Sequence, residues 1–189
     1  MKGQWVYNSG YYSKIDCEKV IADALTLEAV DPRIGFDNST VNNEYRRSKL
    51  RWLYEDDPRF KPVFAEYWNF LRQINNDWFG FNVTRLPPLQ FTEYDSEYLG
   101  EYKSHQDVFW LNPTPYHRKI SLVLQLSDPN EYVGGDLILE NVDESPPADM
   151  IRQQGSFIAF PSFVYHKATP VTHGKRYSLI GWFEGPKFQ

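Results

Sequence analysis

The sequence predicts a mainly β protein with helices in its N-terminal part. Two segments before residue 80 repeat apolar residues at helical spacing. After Gly80 the chain changes to short runs rich in Val, Ile, Phe, Tyr and Leu, and these runs are separated by turn residues such as Gly, Pro, Asp and Asn. Seven or eight short strands of this kind predict a sandwich, a jelly roll or a barrel, against which the helices pack.

Length and composition limit what such a chain can be. It has 189 residues, of which 41% are hydrophobic and 24% are charged. These values are typical of one globular domain, so we expect a single domain over residues 1–189 and exclude disorder of the whole chain. The net charge of −5 provides no overall positive field for a phosphate backbone, so a nucleic acid is not an expected partner.

The chain shows no sign of export or membrane insertion. Cys17 is its only cysteine, so no intramolecular disulfide can form, which fits a reducing compartment. Residues 1–14 lack the apolar core of a secretion signal, and the longest apolar stretches are interrupted by polar residues. We therefore expect a cytoplasmic protein without a membrane partner.

The two helices are predicted at residues 14–28 and 58–78, within a helical support region over residues 1–80. Ser13 followed three residues later by Asp16 is typical of a helix start. Pro58 suits the first turn of the second helix, whose wide apolar stripe indicates packing against a sheet.

The segment 31–57 between the helices is polar and of mixed charge. We predict a solvated loop with one short helix there. Arg46, Arg47 and Arg51 are then expected on a solvated helix face, and contact with an acidic substrate is the less favoured interpretation.

The strands are predicted within residues 81–189, which we take as the β core of the domain. Each run is short and ends at a turn signal. The predicted strands are 89–94, 98–107, 119–126, 136–140, 156–160, 164–169 and 176–183.

His105 and Asp107 form a His-x-Asp pair near the end of a predicted strand. Because side chains alternate along a strand, both lie on one face and can offer an imidazole and a carboxylate to one cation. Taken alone the pair is a weak signal, since a half-exposed polar strand end has the same pattern.

His166 is the candidate third ligand, and it lies among apolar and aromatic residues on a later predicted strand. Two histidines and one carboxylate on one face of a divalent ion leave positions open for reactants. A core histidine held by a hydrogen bond is the alternative. His117 and His173 compete for the same role, but both lie in polar loops, and we expect both at the surface.

Arg176 begins a predicted strand on which Ser178 and Trp182 share its face. An arginine with a hydroxyl two residues further on is a good receptor for a carboxylate. Exposure of Arg176 at the turn after Gly174 is the alternative when this residue is considered alone.

With these signals taken together, the sequence resembles the iron(II)- and 2-oxoglutarate-dependent dioxygenases. The resemblance is specifically to the prolyl 4-hydroxylase-like branch and its bacterial PKHD-type hydroxylase relatives. The resemblance covers residues 94–184, about half of the chain, in unbroken order. Its motifs are Tyr94, His105-Gln106-Asp107, Arg118, Leu126-Ser127-Asp128-Pro129, Gly134-Gly135, His166-x-x-Thr169-Pro170-Val171-x-x-Gly174-x-Arg176 and Trp182. Their combination is far more specific than any single part.

The resemblance implies a double-stranded β-helix (jelly-roll) core that is buttressed by the N-terminal α-helices. It implies that His105, Asp107 and His166 are the catalytic residues that bind Fe(II), and that Arg176 pairs with the distal carboxylate of 2-oxoglutarate. The cosubstrates are then 2-oxoglutarate and O2, and ascorbate is expected to stimulate turnover.

The resemblance also concerns the wall of the cosubstrate site. Tyr94 matches a tyrosine that often lines this pocket, and Ser178 is expected to add a hydroxyl. In many eukaryotic relatives another tyrosine helps to hold the distal carboxylate. That position corresponds here to Gln125 or Leu124, so the second anchor is left open.

The implied reaction is hydroxylation of a C–H bond, with decarboxylation of 2-oxoglutarate to succinate. We expect a prolyl residue in a peptide or protein as the substrate. A free amino acid or another small molecule is the alternative, and a non-catalytic jelly-roll binding protein is the third hypothesis. Phe109, Trp110 and Trp182 are the expected substrate contacts, although the aromatic residues after Asp107 would serve equally well to close the end of the barrel.

Overall fold

A computed structural model describes residues 1–33 and 41–189 of the chain. The described residues form antiparallel sheets and three α-helices, namely α1 (Lys14–Leu25), α2 (Lys61–Ile74) and α3 (Ala148–Arg152). None of the helices in this part of the chain is both long and apolar enough to cross a membrane. The predicted N-terminal helices are therefore present, and their ends differ from the prediction.

The ends of the helices have local causes. The Ser13 hydroxyl accepts a hydrogen bond from the Asp16 N–H and caps α1, as predicted, but α1 ends at Leu25 instead of residue 28. The predicted start of the second helix at Pro58 is wrong, because α2 begins at Lys61 with Pro62 in its first turn. A short π-helix, Asn75–Phe79, continues α2 and ends at Gly80, which has a left-handed backbone conformation.

Eleven strands occur in the described residues, and each of the seven predicted runs overlaps one of them. The strands are β1 (Val6–Asn8), β2 (Arg46–Arg47), β3 (Lys49–Leu53), β4 (Leu89–Asp95), β5 (Glu101–His105), β6 (Tyr116–Gln125), β7 (Tyr132–Gly134), β8 (Leu137–Leu139), β9 (Phe157–Pro161), β10 (His166–Ala168) and β11 (Val171–Pro186). The mainly β class predicted from the sequence is confirmed.

The strands are arranged in a larger and a smaller sheet. The larger sheet has the order β1-β9-β6-β11-β4-β3, with β7 paired to the start of β11. The smaller sheet has the order β2-β5-β10-β8. Most neighbours in either sheet are distant in the chain, so residues from separate segments are brought side by side.

The core has two layers, one on each face of the larger sheet. On the outer face, α1 and α2 pack over apolar residues of β4, β6, β9 and β11. Tyr67 of α2 is fully buried there and donates a hydrogen bond from its hydroxyl to the Leu179 carbonyl at 2.7 Å. A Cβ at Gly181 would lie 2.6 Å from the Tyr67 ring, so this close helix–sheet contact requires glycine. On the inner face, Val123 and Ile158 pack against residues of the smaller sheet such as Leu139.

The segment 31–57 differs most from its prediction, and residues 34–40 of it lie outside the described part. In place of a solvated loop with one helix, residues 46–53 form β2 and β3, which extend the edges of both sheets. Arg46 and Arg51 are buried, so their predicted position on a solvated face is wrong. Arg51 forms an ion pair with Glu93 at 2.9 Å, and Arg47 forms one with Glu101 at 2.5 Å. Pairing with acidic residues of the neighbouring strands is what allows Arg47 and Arg51 to lie within the sheets.

Candidate active site

The register of the smaller sheet brings two histidines together. His105 is the last residue of β5, His166 is the first residue of β10, and the two are direct partners in the antiparallel ladder. Asp107 lies just beyond β5, where its backbone N–H donates to the Ser162 carbonyl. The Nε2 atoms of His105 and His166 lie 3.7 Å and 3.4 Å from carboxylate oxygens of Asp107. The structure thus assembles the three predicted metal ligands.

Hydrogen bonds orient each of these side chains. Nδ1 of His105 lies 2.8 Å from the Lys103 carbonyl, and Nδ1 of His166 lies 3.0 Å from the Val164 carbonyl. A carbonyl oxygen can only accept, so each Nδ1 carries the proton and each Nε2 presents a lone pair. Asp107 accepts a hydrogen bond from the Ser121 hydroxyl at 2.6 Å.

This arrangement fits a divalent metal ion such as Fe(II). One ligand atom from each of the three residues lies within 4.8 Å of the others. Two imidazole nitrogens and one carboxylate form the facial set that leaves coordination positions open, and the backbone carbonyls and Ser121 hold the ligands from behind.

Burial and neighbouring charges set the protonation of the site. Burial, with a further contribution from His166, lowers the pKa of His105 to about 3. For Asp107, burial acts to raise the pKa, but the nearby His166, His105 and Arg118 outweigh it, so the carboxyl group remains ionised. A neutral imidazole and an ionised carboxylate are the forms that bind metal.

We expect the metal-free protein to lose stability as the pH falls from about 7 to about 5. The folded pKa of His105 lies below its unfolded value of about 6.5, so the unfolded chain binds more protons throughout this range and acid favours unfolding. His105 alone accounts for a loss of about 2 kcal/mol in the free energy of unfolding. Urea unfolding at the two pH values measures this loss.

The matched variants for this experiment are His105→Phe and His173→Ala. The first removes the titrating group and keeps a ring, so the pH dependence should become flatter by about the same amount. The second changes an exposed histidine and should keep the dependence of the parent protein. Equal pH dependence in the parent and in His105→Phe would contradict the assignment.

The predicted cosubstrate residues line an inner cavity of about 50 Å³ beside the three metal ligands. Arg176 and Tyr94 are direct partners in the ladder between β11 and β4, and the Arg176 guanidinium carbon lies 5.5 Å from the Tyr94 ring centre. Ser178, two residues along β11, is on the same wall. Arg176 is 4% exposed, so its predicted alternative as a residue exposed at a turn is wrong.

Gln125, and not Leu124, lies beside Arg176, at the position where the sequence left the second anchor open. Its amide oxygen accepts a hydrogen bond from Arg176 Nε at 3.1 Å, and its amide nitrogen donates to the Tyr132 hydroxyl at 3.0 Å. Leu124 lies on the opposite face of β6, in the core beneath the helices. Gln125 therefore holds Arg176, and Tyr132 supports Gln125, a role that the sequence did not reveal.

A larger outer cavity of about 640 Å³ opens next to the metal ligands. Phe109 and Trp182, two of the predicted substrate contacts, are on its wall, and Trp182 also lines the inner cavity. Trp110 is not on the described wall of either cavity. It is half exposed and packs against His117 and Phe188.

The outer cavity also contains residues to which the sequence gave no role. The Arg118 guanidinium carbon lies 3.7 Å from the centre of the Trp182 ring, and that of Arg46 lies 4.3 Å from the centre of the Tyr102 ring. Tyr102 in turn stacks on His105 with 3.5 Å between ring centres. Arginine close to aromatic residues in the sequence was the signal that could have identified these wall residues. For Arg46 this signal was missed, because the segment 31–57 was predicted to be a solvated loop with one short helix.

The two competing histidines do not join the metal ligands. His173 is exposed, as predicted. His117 was predicted at the surface, which is wrong, because it lies in β6 and is only 4% exposed. It packs against Trp110 and Phe188 and accepts a hydrogen bond from the Phe188 N–H at 3.2 Å. His117 is thus a core histidine held by a hydrogen bond.

The sequence of the β region matches a known family. A family model described as "2OG-Fe(II) oxygenase superfamily" matches residues 89–184. A PKHD-type hydroxylase of Synechococcus sp. (strain CC9311) is 33% identical over 89 residues, which are 47% of this chain and 39% of the relative. A PKHD-type hydroxylase of Rippkaea orientalis is 31% identical over 101 residues, which are 53% of this chain and 44% of the relative. The chain spans about two fifths of the length of these curated relatives.

Solved structures resemble the chain over almost its whole length. A prolyl-4-hydroxylase of Pseudomonas putida superposes with a TM-score of 0.73 at 19% identity, over 97% of this chain and 94% of that one. A Trichoplax adhaerens prolyl hydroxylase, in complex with a peptide fragment of hypoxia inducible factor, has a TM-score of 0.76 at 16% identity, over 96% and 83% of the chains. These similarities confirm the predicted jelly-roll fold with its helical buttress.

Proposed function

The chain belongs to the 2OG-Fe(II) oxygenase superfamily, and on that basis we propose that it is an Fe(II)- and 2-oxoglutarate-dependent dioxygenase that hydroxylates a prolyl residue in a peptide or protein. The observation that supports this proposal most is the convergence of His105 Nε2, His166 Nε2 and the Asp107 carboxylate at one point, next to a cavity that contains Arg176.

In this proposal the residues of the two cavities have separate roles. His105, Asp107 and His166 hold Fe(II), and Arg176 pairs with the distal carboxylate of 2-oxoglutarate. With O2, the bound iron and 2-oxoglutarate supply the oxidising power that turns a C–H bond into C–OH while 2-oxoglutarate becomes succinate and CO2.

The protein's own contribution is orientation and exclusion of water. Gln125 accepts from Arg176 Nε and so turns the other guanidinium nitrogens towards the cosubstrate. Tyr94 and Ser178 border the same space, with Ser178 only 1% exposed, so the carboxylate would be held away from bulk water. In such surroundings a charge-assisted hydrogen bond is stronger than it is in water.

The shape of the outer cavity supports a peptide as the substrate. With a volume of about 640 Å³ between the described residues, it can admit a side chain together with its flanking backbone. One structural relative carries a peptide fragment in its complex. Phe109 and Trp182 would contact the target residue, and Trp110, outside the cavity wall, remains a proposed contact for more distant parts of a peptide.

Two other functions are weighed against this one. A free amino acid or other small molecule would use the same iron and cosubstrate residues, and the arginines of the outer cavity favour such a substrate if it is acidic. A non-catalytic binding protein is disfavoured by the complete set of three metal ligands. Stimulation by ascorbate is part of the proposal and follows from the family resemblance.

The proposal is tested by incubating the protein with Fe(II), 2-oxoglutarate and oxygen-18 gas, together with a set of synthetic proline-containing peptides. We expect succinate to form and a peptide to gain one oxygen-18 atom, as detected by mass spectrometry. Labelling of free amino acids with no labelled peptide would favour the small-molecule alternative. A folded protein that consumes no 2-oxoglutarate with any probe would overturn the proposal.

A further inference from the structure

The outer cavity carries an excess of positive charge. Among the described residues, three arginines and two aspartates line it: Arg33, Arg46, Arg118, Asp31 and Asp107. The Asp107 carboxylate faces His105 and His166, and a metal ion bound by these three residues would neutralise its charge. The described part of the wall therefore holds more cationic than anionic groups in the place where a substrate would lie.

Arg118 is a cation of this wall that has no ion pair within the described residues. Its guanidinium carbon lies 3.7 Å from the Trp182 ring centre and 5.3 Å from that of Phe109. In residues 1–33 and 41–189 its guanidinium forms neither an ion pair nor a hydrogen bond. Stacking on rings leaves the edge of a guanidinium, with its N–H donors, free to bind an anion.

Arg46 is the second such cation, and it is more deeply buried. It is 5% exposed, stacks on Tyr102, and donates from Nε to the Ser48 hydroxyl at 3.0 Å. Within the described part of the chain no carboxylate pairs with it. Burial lowers the pKa of Arg118, the charges of Asp107 and Glu184 act to raise it, and the charge of Arg46 makes a smaller contribution in the same direction as burial.

Arginines elsewhere in the described chain are generally paired with acids. Those that form ion pairs are Arg47, Arg51, Arg59, Arg85 and Arg152. Burying a cation without an anion is costly, and the ion pair between Arg51 and Glu93 shows how this protein satisfies that need within its sheets. Two unpaired cations in one cavity wall indicate that the missing anion is a ligand.

We propose that the substrate of this enzyme carries a carboxylate, which binds to Arg118 and Arg46 in the outer cavity, beside the metal ligands. The inference rests on the proposed function, because it assigns the substrate of that same site. Arg46 lines both cavities, whereas Arg118 lines the outer one only. Arg176 serves the cosubstrate in the inner cavity, so a second anion is needed beside Arg118. The apolar part of the substrate packs on Trp52 and Trp182.

The carboxylate can come from two sources, which matched probes distinguish. N-acetyl-L-proline and its neutral amide, N-acetyl-L-prolinamide, differ only in a carboxylate attached to the target residue. Two end-capped tripeptides, Ala-Pro-Glu and Ala-Pro-Gln, differ only in a carboxylate on the neighbouring side chain. Binding is measured by tryptophan fluorescence under anaerobic conditions, in protein loaded with Fe(II) and 2-oxoglutarate and in metal-free protein.

We expect the acidic member of at least one pair to bind more than about tenfold more tightly than its neutral partner. Arg118→Met, which keeps an apolar stem over Trp182, should remove most of that preference, and Arg118→Lys should restore part of it. Arg46→Met should also weaken it. Arg72→Met, at an exposed position of α2, is the matched control and should behave as the parent protein.

The outcomes separate this inference from the proposed function. If acidic and neutral probes bind equally, or if the preference survives in both Arg118→Met and Arg46→Met, the inference is wrong even when succinate is formed. If no 2-oxoglutarate is consumed, the proposed function fails, and the preference measured in metal-free protein still decides the inference. In metal-free protein, the preference for the acidic probe could be lost in Arg176→Met and kept in Arg118→Met. That result would place the carboxylate in the inner cavity and overturn the inference.

Discussion

Replacing His166 with alanine is expected to abolish Fe(II) binding and, with it, all consumption of 2-oxoglutarate. His166 is 7% exposed, its Nε2 lies 3.4 Å from Asp107, and its Nδ1 is held by the Val164 carbonyl, so no other described side chain can take its place. Loss of residues that merely orient metal ligands costs 10–100-fold in affinity, so loss of a ligand should cost at least about 100-fold.

The measurement is an anaerobic titration with Fe(II) and then 2-oxoglutarate, which follows the visible charge-transfer band of the chelate. The parent protein should develop the band and lose it on exposure to oxygen. His166→Ala should show no band, and Asp107→Ala should behave in the same way. His173→Ala, which removes an exposed histidine, is the control and should keep the band. A normal band in folded His166→Ala would mean that the metal site is misplaced.

Replacing Arg176 with alanine is expected to raise the concentration of 2-oxoglutarate needed for half-maximal turnover by more than about tenfold. A buried, charge-assisted pairing with a carboxylate contributes ~1.5–3 kcal/mol. Arg176 lies on the wall of the inner cavity, where Gln125 holds its guanidinium in place. Steady-state kinetics at saturating Fe(II) measure this change, and thermal unfolding checks that the variant is folded.

Gln125→Leu is the matched variant for Arg176. It removes the acceptor that orients Arg176 and keeps the cation itself, so the loss of 2-oxoglutarate affinity should be smaller than in Arg176→Ala. His173→Ala again serves as the unperturbed control. An unchanged 2-oxoglutarate requirement in Arg176→Ala would show that the cosubstrate is anchored elsewhere.

The three candidate metal ligands could be proposed from the sequence because the His-x-Asp signal is local and agrees with a histidine on a later strand. His105 and Asp107 are two residues apart, and the period of a strand places such residues together without knowledge of the rest of the fold. His166 could be joined to them because it lies on an apolar strand, and the register that makes it the partner of His105 then follows from the sheet. Arg176 was found in the same way, through the face it shares with Ser178.

The residues that were missed depend on tertiary partners. Arg46 lies in a polar segment whose composition indicates a loop, and only its pairing with β5 and its stacking on Tyr102 make it part of a buried wall. His117 was assigned to the surface because its neighbours are polar, whereas Trp110 and Phe188 cover it in the fold. Local composition contains no information about which distant side chains will cover a residue.

The two sheets give the two halves of the site unequal resistance to local unfolding. Both histidines belong to the smaller sheet, in which β5 has five residues and β10 has three, whereas Arg176 lies in the 16-residue strand β11, which pairs with β4, β6 and β7. Short strands with few neighbours open at a lower free-energy cost than a long central strand. Metal exchange would then proceed through transient opening of the smaller sheet while the cosubstrate half stays folded, so the lifetime of the bound ion is decoupled from the global stability of the protein.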